Sequence, residues 1–298
     1  MEKNSPLELK LDVLKQSTIV RHNEYRFVTS DFGFVNSFSQ LKSSLFKIGQ
    51  PYRIKEGRIA LPIRGNVRIS INLIEYQISS PNTLLVIPPG SIVQLLSLSP
   101  DYDFQAIVPT HNFIQLPRAE ELLENYLSNR QNVLVSLTEK EREQIAAYFS
   151  LIWDTLQEPS FRQEVVQHLL YALLYTIGYI RNNQQATTGI QPSRQEELFH
   201  RFIALVNEHC ITERTVGFYA DKLCLTPRYL NTIIRQTSQR TVMDWINEAV
   251  ILEAKVLLKY SNLLTYQIAD KLSFPNPSFF CKFFKKMTGS TPHKYREA

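Results

Sequence analysis

Two stretches of this chain carry side chains suited to reading base edges and holding phosphate, spaced as the outer faces of two matched helices. The first covers residues 219–236 and the second residues 268–286. Both contain the tetrapeptide Ala-Asp-Lys-Leu, at residues 220–223 and at residues 269–272. Past the turn the register slips by one residue, so Tyr229-Leu230 matches Phe279-Phe280, and residues 233–236 match residues 283–286. In the first copy Leu230, Ile233 and Ile234 recur at the spacing of a buried stripe, which turns Arg228, Asn231, Thr232 and Arg235 outward. Arg and Asn pair with guanine and adenine edges, while Arg235 equally suits a phosphate. In the second copy Asn276, Pro277 and Ser278 stand at the leading end. Lys282 points out from a base expected of Phe279, Phe280, Phe283 and Phe284, and Lys285 and Lys286 lie near the far end as phosphate contacts. With fewer base-reading groups, this half is expected to add affinity more than discrimination. One solvated helix face would carry such residues too. A tandem repeat in a basic setting is instead the pattern of a double-stranded DNA reader with two recognition helices.

The elements that must hold these faces are legible around them. Thr226 is placed to cap the first recognition helix, with Pro227 at its first turn, where a missing N–H costs nothing. Residues 215–223 read as the preceding helix, and residues 198–210 as an amphipathic helix before that. Between the two copies, residues 241–260 open on Thr241-x-x-Asp244, a capping-box variant, and carry Trp245, Ile246, Ala249, Val250, Leu252, Val256 and Leu257. One helix of that length, roughly 30 Å at 1.5 Å per residue, can space two recognition helices near the ~34 Å between successive major grooves.

Charge follows this division. The chain of 298 residues has a net charge of +5, and residues 196–298 hold 14 Lys and Arg against 10 Asp and Glu, leaving 19 against 18 upstream. The excess therefore sits where a polyanion would bind.

Upstream, the pattern changes to strands. Val67, Ile69, Ile71 and Leu73 alternate with polar residues, residues 84–87 form a short apolar run, and residues 92–98 and 104–108 follow. Together they predict an antiparallel barrel over about residues 25–112. Through about Asn36 no separate element stands out. Arg53, Arg58, Arg64 and Arg68 fit either an anion pocket or an exposed strand face. Helices are expected over about 118–182, namely 118–128, 138–156 and 161–181. The last is apolar over more than half its circumference, which suits packing within the chain and a dimer interface equally. Residues 183–195 are polar and aperiodic, and read as a linker. The expected domains are therefore 1–182, the linker 183–195, and 196–298, an α+β chain with an all-α C-terminal part.

Several classes are disfavoured. Cys210, Cys224 and Cys281 have no metal-site spacing, and the six histidines leave residues 45–108 without any, so no metal, cofactor or catalytic residue is expected. A barrel enzyme with a DNA-binding tail is correspondingly disfavoured. No run of about 18 apolar residues predicts a membrane span. The polar start predicts no secretory signal, and a cytoplasmic protein is expected.

Residues 198–298 resemble the DNA-binding domain of the AraC family of transcription regulators. The resemblance rests on Ile268-Ala269, Leu272, Phe274, Ser278-x-Phe280, residues 283–286, Thr288-Gly289 and Thr291-Pro292-x-x-Tyr295-Arg296. Two positions depart from the family pattern: Ser273 stands where Gly commonly precedes the Phe, and Val250 where Arg is common. The resemblance implies a seven-helix domain whose recognition helices enter adjacent major grooves. It also implies a cupin-like effector and dimerisation domain upstream. Expected partners are promoter DNA, a second copy of the chain, RNA polymerase, and a small-molecule effector whose site is not legible. A ligand-independent regulator, whose barrel only dimerises or docks a protein, is the competing reading.

Overall fold

The computed structural model describes residues 22–41, 46–79, 82–114, 133–187 and 193–297. They form two compact units, one ending at Gln191 and the other beginning at Pro192. The helix expected at 118–128 lies outside the described residues.

The N-terminal unit consists of two antiparallel sheets. Strands β1 (His22–Asn23), β2 (Arg26–Val28), β3 (Phe32–Val35), β10 (Asp103–Pro109), β5 (Arg58–Arg64), β8 (Thr83–Ile87) and β11 (Leu134–Ser136) lie in that order in one sheet. Strands β4 (Pro51–Arg53), β9 (Ile92–Leu98), β6 (Asn66–Ile71) and β7 (Ile74–Ser79) form the other. The barrel is thus built as two separately bonded sheets. Period-two alternation assigns the faces of the larger sheet. Phe32, Phe34, Ile59, Leu61, Leu84, Val86 and Ile107 pack with the helices that follow. Their strand neighbours Val35, Ala60, Leu85, Ala106 and Val108 turn the other way and line a cavity that Val67, Ile69, Val93 and Leu95 of the smaller sheet also line. Because both faces are covered, β3 and β8 read as continuous apolar runs and not as alternating ones.

Two details depart from the expected strands. Leu73 is not in β6: Asn72 and Leu73, at φ 50° and 76°, make a two-residue turn closed by the pair Ile71 and Ile74. Such a turn needs positive φ at both central residues, and Leu73, 5% exposed, offsets its strain by burial. A register shift in the β6–β9 pairing between Arg68 and Ile69 brings Leu98 as well as Leu95 onto the cavity. At Gly65, φ is +74° and a Cβ would lie 2.6 Å from the Tyr102 Cα, so only glycine fits that turn.

Helix α1 (Glu139–Gln157) starts on a capping box made by Thr138 and Glu141, with Glu139 and Glu141 in the first turn where the helix dipole favours them. It buries Ile145, Phe149 and Ile152 against the sheet. Helix α2 (Gln163–Thr187) lies on it with Val166, Leu170, Leu173, Leu174 and Ile177. It continues five residues past Asn182, so the first part of the expected linker is helical. Gln and Ala propagate a formed helix well, and Gln184 donates to the Ser136 carbonyl.

The C-terminal unit contains α3 (Arg194–His209), α4 (Val216–Lys222), α5 (Pro227–Ser238), α6 (Val242–Tyr260), α7 (Thr265–Lys271), α8 (Pro277–Thr288) and α9 (Pro292–Glu297). Helix α6 is its spine. Trp245 meets Phe199 of α3 at 5.4 Å between ring centroids. Further along, Ile251, Ala254 and Leu258 join Ile268, Ala269, Leu272, Phe280 and Phe284 in one cluster. Val250 is fully buried in this spine.

The turns of the two helix pairs are equivalent. Cys224 (φ 56°) and Ser273 (φ 55°) both sit in the left-handed region, and so do the C-caps Gln239 (φ 59°) and Gly289. This explains why glycine suits the position of Ser273: a Cβ there is strained. Ser273→Gly is therefore expected to stabilise the domain by about 0.5–1 kcal/mol, the strain relieved being partly offset by unfolded-state entropy. Denaturant unfolding of the variant checks this; an unchanged or lower midpoint would contradict it.

Candidate nucleic-acid interface

Each recognition helix is started by a side chain that satisfies its own first turn. Thr226 Oγ1 accepts from the Tyr229 N–H at 3.2 Å, and Asn276 Oδ1 accepts from the Phe279 N–H at 3.0 Å, with proline at the first position of each helix. The shift between the copies is now located: the second turn holds one extra residue, Pro275, before its cap. Asn276, expected at the leading end among base-reading groups, spends its carbonyl oxygen on this cap.

Along α5, Leu230, Ile233 and Ile234 are buried, while Arg228, Thr232 and Arg235 are exposed. Asn231 is half-buried and its Nδ2 donates to the Pro227 carbonyl at 3.1 Å, while Thr232 Oγ1 donates to the Arg228 carbonyl at 3.0 Å. Asn231 keeps its second amide hydrogen and its carbonyl oxygen for a base, and Thr232 keeps its hydroxyl as an acceptor. Along α8, Pro277, Ser278, Lys282, Lys285 and Lys286 are all exposed. The expected aromatic base is only partly so: Phe280 and Phe284 are fully buried and Phe283 half-buried, but Phe279 is 60% exposed. At 100° per residue, Phe279 falls beyond the stripe that Phe280 and Phe284 share. Its counterpart Tyr229 is 47% exposed. Both helices thus show an aromatic ring at the same turn, beside the outward polar residues. The sequence reading placed Phe279 in the aromatic base and left Tyr229 unassigned; the repeat register, which aligns the two, was the signal that could have paired them.

Three arginines that periodicity passed over brace the interface. The Arg214 guanidinium, just before the Thr215 cap of α4, donates to the Leu272 carbonyl at the end of α7 and lies 3.9 Å from the Phe274 ring centroid. It ties one helix pair to the other, and its burial lowers its pKa below the usual arginine value. Arg240 pairs with Glu248 and stacks 4.1 Å over Trp245, whose indole N–H donates to Ser238 Oγ at 2.9 Å. Arg296 donates through Nε to the Leu258 carbonyl at 3.1 Å and through Nη2 to the Leu263 carbonyl at 2.6 Å, satisfying the end of α6. Tyr295 packs on Phe284 at 5.5 Å. The Tyr-Arg pair of the C-terminal motif is thus a buttress and not a base reader.

The expected anion pocket reduces to one residue. Arg53 donates to the Gly90 carbonyl, Arg64 lies 3.8 Å from Asp103, and Arg68 pairs with Glu75 at 3.0 Å, whereas Arg58 alone of the four lines the cavity. Among the described residues no group of three or more His, Cys, Asp or Glu is placed to hold a metal, and no helix is long and apolar enough to cross a membrane.

Two capped helix pairs on a common spine, each with a basic and polar outer face, make the C-terminal unit a double helix-turn-helix DNA-binding domain. Residues 219–298 match the family described as a helix-turn-helix domain. The chain is 26% identical over 197 residues to the transcriptional activator RhaR of Cronobacter sakazakii, an alignment covering 63% of this chain and 68% of that protein. It is 22% identical over 277 residues to the arabinose operon regulatory protein of Salmonella typhimurium, covering 84% and 87%. Other curated relatives are matched over only about half their length. A structure of Vibrio cholerae ToxT with an unsaturated fatty acid bound is matched over 93% of this chain and 97% of its own, at 14% identity and a TM-score of 0.39. The C-terminal unit thus carries a helix-turn-helix domain of the AraC type, and the chain is a DNA-binding transcription regulator similar to these proteins.

Proposed function

We propose that this protein is a cytoplasmic regulator that reads promoter DNA through the outer faces of α5 and α8 and is switched by a small molecule held between its N-terminal sheets. The observation that carries the reading is the duplicated helix pair on one spine. Helix α6, 19 residues or about 28 Å long, sets both recognition helices on a common support. Arg228 and Ser278, exposed on the first turns of these helices, and Lys282, exposed on the second turn of α8, are the base readers, with Asn231 and Thr232 contributing through the groups their local bonds leave open. Asn276 and Pro277 set the leading end of α8 against the groove. Arg235, Lys285 and Lys286 hold phosphate.

Selection of bound sequences from a random duplex pool, followed by titration of the full chain, tests this. Arg228→Ala is expected to cost about 1–3 kcal/mol on the selected site and to relax preference at one base pair. Lys286→Ala should weaken all duplexes alike and reduce the salt slope by about one. Equal affinity of the unmodified protein for selected and random duplex at moderate salt would refute the reading.

The effector part rests on the apolar cavity lined by both sheets of the N-terminal unit. A ligand shifts DNA affinity only if it binds two arrangements unequally. A thermal-shift screen against sugars and small metabolites, repeated as DNA titrations with each hit, checks that link. A second copy of the chain joins through α2, where Val165, His168, Ala172, Tyr175 and Tyr179 recur at intervals of three and four residues on the outer side. RNA polymerase is a further proposed partner, by analogy with the transcriptional activator RhaR.

A further inference from the structure

The lining of the cavity names the kind of molecule it takes, an inference that rests on the effector reading above. One wall is a single row of cross-strand neighbours: Val35 opposite Ala106, Ala106 opposite Ala60, and Ala60 opposite Leu85. All four line the cavity. Two alanines side by side in the middle of that row leave the hollow that larger residues would fill. One flank is aromatic, where Phe38 stacks on Phe104 at 4.6 Å and Tyr102 lies 5.8 Å from Phe104. Arg58 stands two residues before Ala60, on the same strand face, and is the one charged side chain among the described lining residues. It is half-buried where the alanines are buried, so it lies toward solvent on that wall.

Size and polarity then exclude two classes. The cavity measures about 100 Å³, on a scale where about 150 Å³ takes a benzene. A single ring is the size it suits, and a long acyl chain does not fit. A sugar would desolvate several hydroxyls against a lining whose polar side chains, among the described residues, are Arg58 and Tyr102.

We propose that the effector is a compact aromatic carboxylic acid, its ring seated over Ala60 and Ala106 beside the phenylalanines and its carboxylate on Arg58. The test is calorimetric titration of the full chain with benzoate, the neutral benzyl alcohol, decanoate and L-arabinose. Benzoate should bind saturably and roughly ten-fold or more tighter than the alcohol, the size of a charge-assisted hydrogen bond. Arg58→Met should bring the acid to the level of the alcohol and leave the alcohol unchanged. Ala60→Leu should abolish both while circular dichroism and binding to the selected duplex stay intact; if it fails to fold, the smaller Ala106→Val takes its place. Equal affinity for acid and alcohol, tighter binding of decanoate, or undiminished binding in a folded Ala60→Leu chain each overturns the proposal. Arabinose bound in place of benzoate overturns the acid but upholds effector sensing. Binding of none of the four overturns the acid, and the screen with DNA titrations then judges the effector reading separately.

Discussion

Phe284→Ala is expected to cost about 3–5 kcal/mol, enough to unfold the second helix pair at ordinary temperature. Phe284 is fully buried where α6, α7, α8 and α9 meet, against Phe280 at 5.9 Å and Tyr295 at 5.5 Å. Truncation leaves a cavity that Ala254 and Leu258, on the rigid spine, have little freedom to close. Phe279→Ala is the informative contrast. Its ring is 60% exposed, so stability should change by no more than about 0.5 kcal/mol. DNA binding should nonetheless weaken, because an exposed ring on a recognition helix is placed to meet a thymine methyl. Denaturant unfolding read beside duplex titration separates the two. If Phe279→Ala destabilises the fold as Phe284→Ala does, or leaves DNA affinity untouched, the outward assignment of this ring is wrong.

The second large effect concerns assembly. Tyr175 and Tyr179 are 55% and 68% exposed one turn apart on α2, in the stripe that Val165 begins. Spacings of three and four residues are those of a two-helix seam, and glutamate at both positions would bring like charges together on a shared face. The double change Tyr175→Glu with Tyr179→Glu is expected to give monomers in sedimentation at micromolar concentration. Affinity for a duplex with two sites should fall about 10²–10⁴-fold, since linked binding is lost. Affinity for a single site should not change. A variant that still sediments as a dimer would place the interface elsewhere.

Helix α2 shows what tertiary structure adds to a sequence reading that was left even. Helix α2 reads as apolar around more than half its girth, so packing and association were equally supported. Burial divides the circumference: Val166, Leu170, Leu173, Leu174 and Ile177 go to the sheet, and the tyrosines remain outside. The same limit governed the strands. Where one face meets solvent, as in β6, alternation was plain. Where helices cover one face and the cavity the other, as in β3 and β8, no alternation exists to be read, and strands as short as β1 or β11 leave no period at all.

What the sequence determined by itself is the part set by local chemistry. Thr226-Pro227, Thr241 with Asp244, and the repeated Ala-Asp-Lys-Leu declare helix starts and a duplicated unit, because caps and turns depend on residues within a few positions of each other. The DNA-reading class was therefore legible, and so were Arg228, Ser278, Lys282 and the trailing lysines as outward residues. What only the tertiary structure decided are the facts that join distant segments. Arg214 reaches a carbonyl 58 residues away, Arg296 closes the end of α6, and Ala60 meets Ala106 across a strand pair to open the cavity. Such contacts are fixed by chain topology and side-chain reach, and no spacing along the chain encodes them.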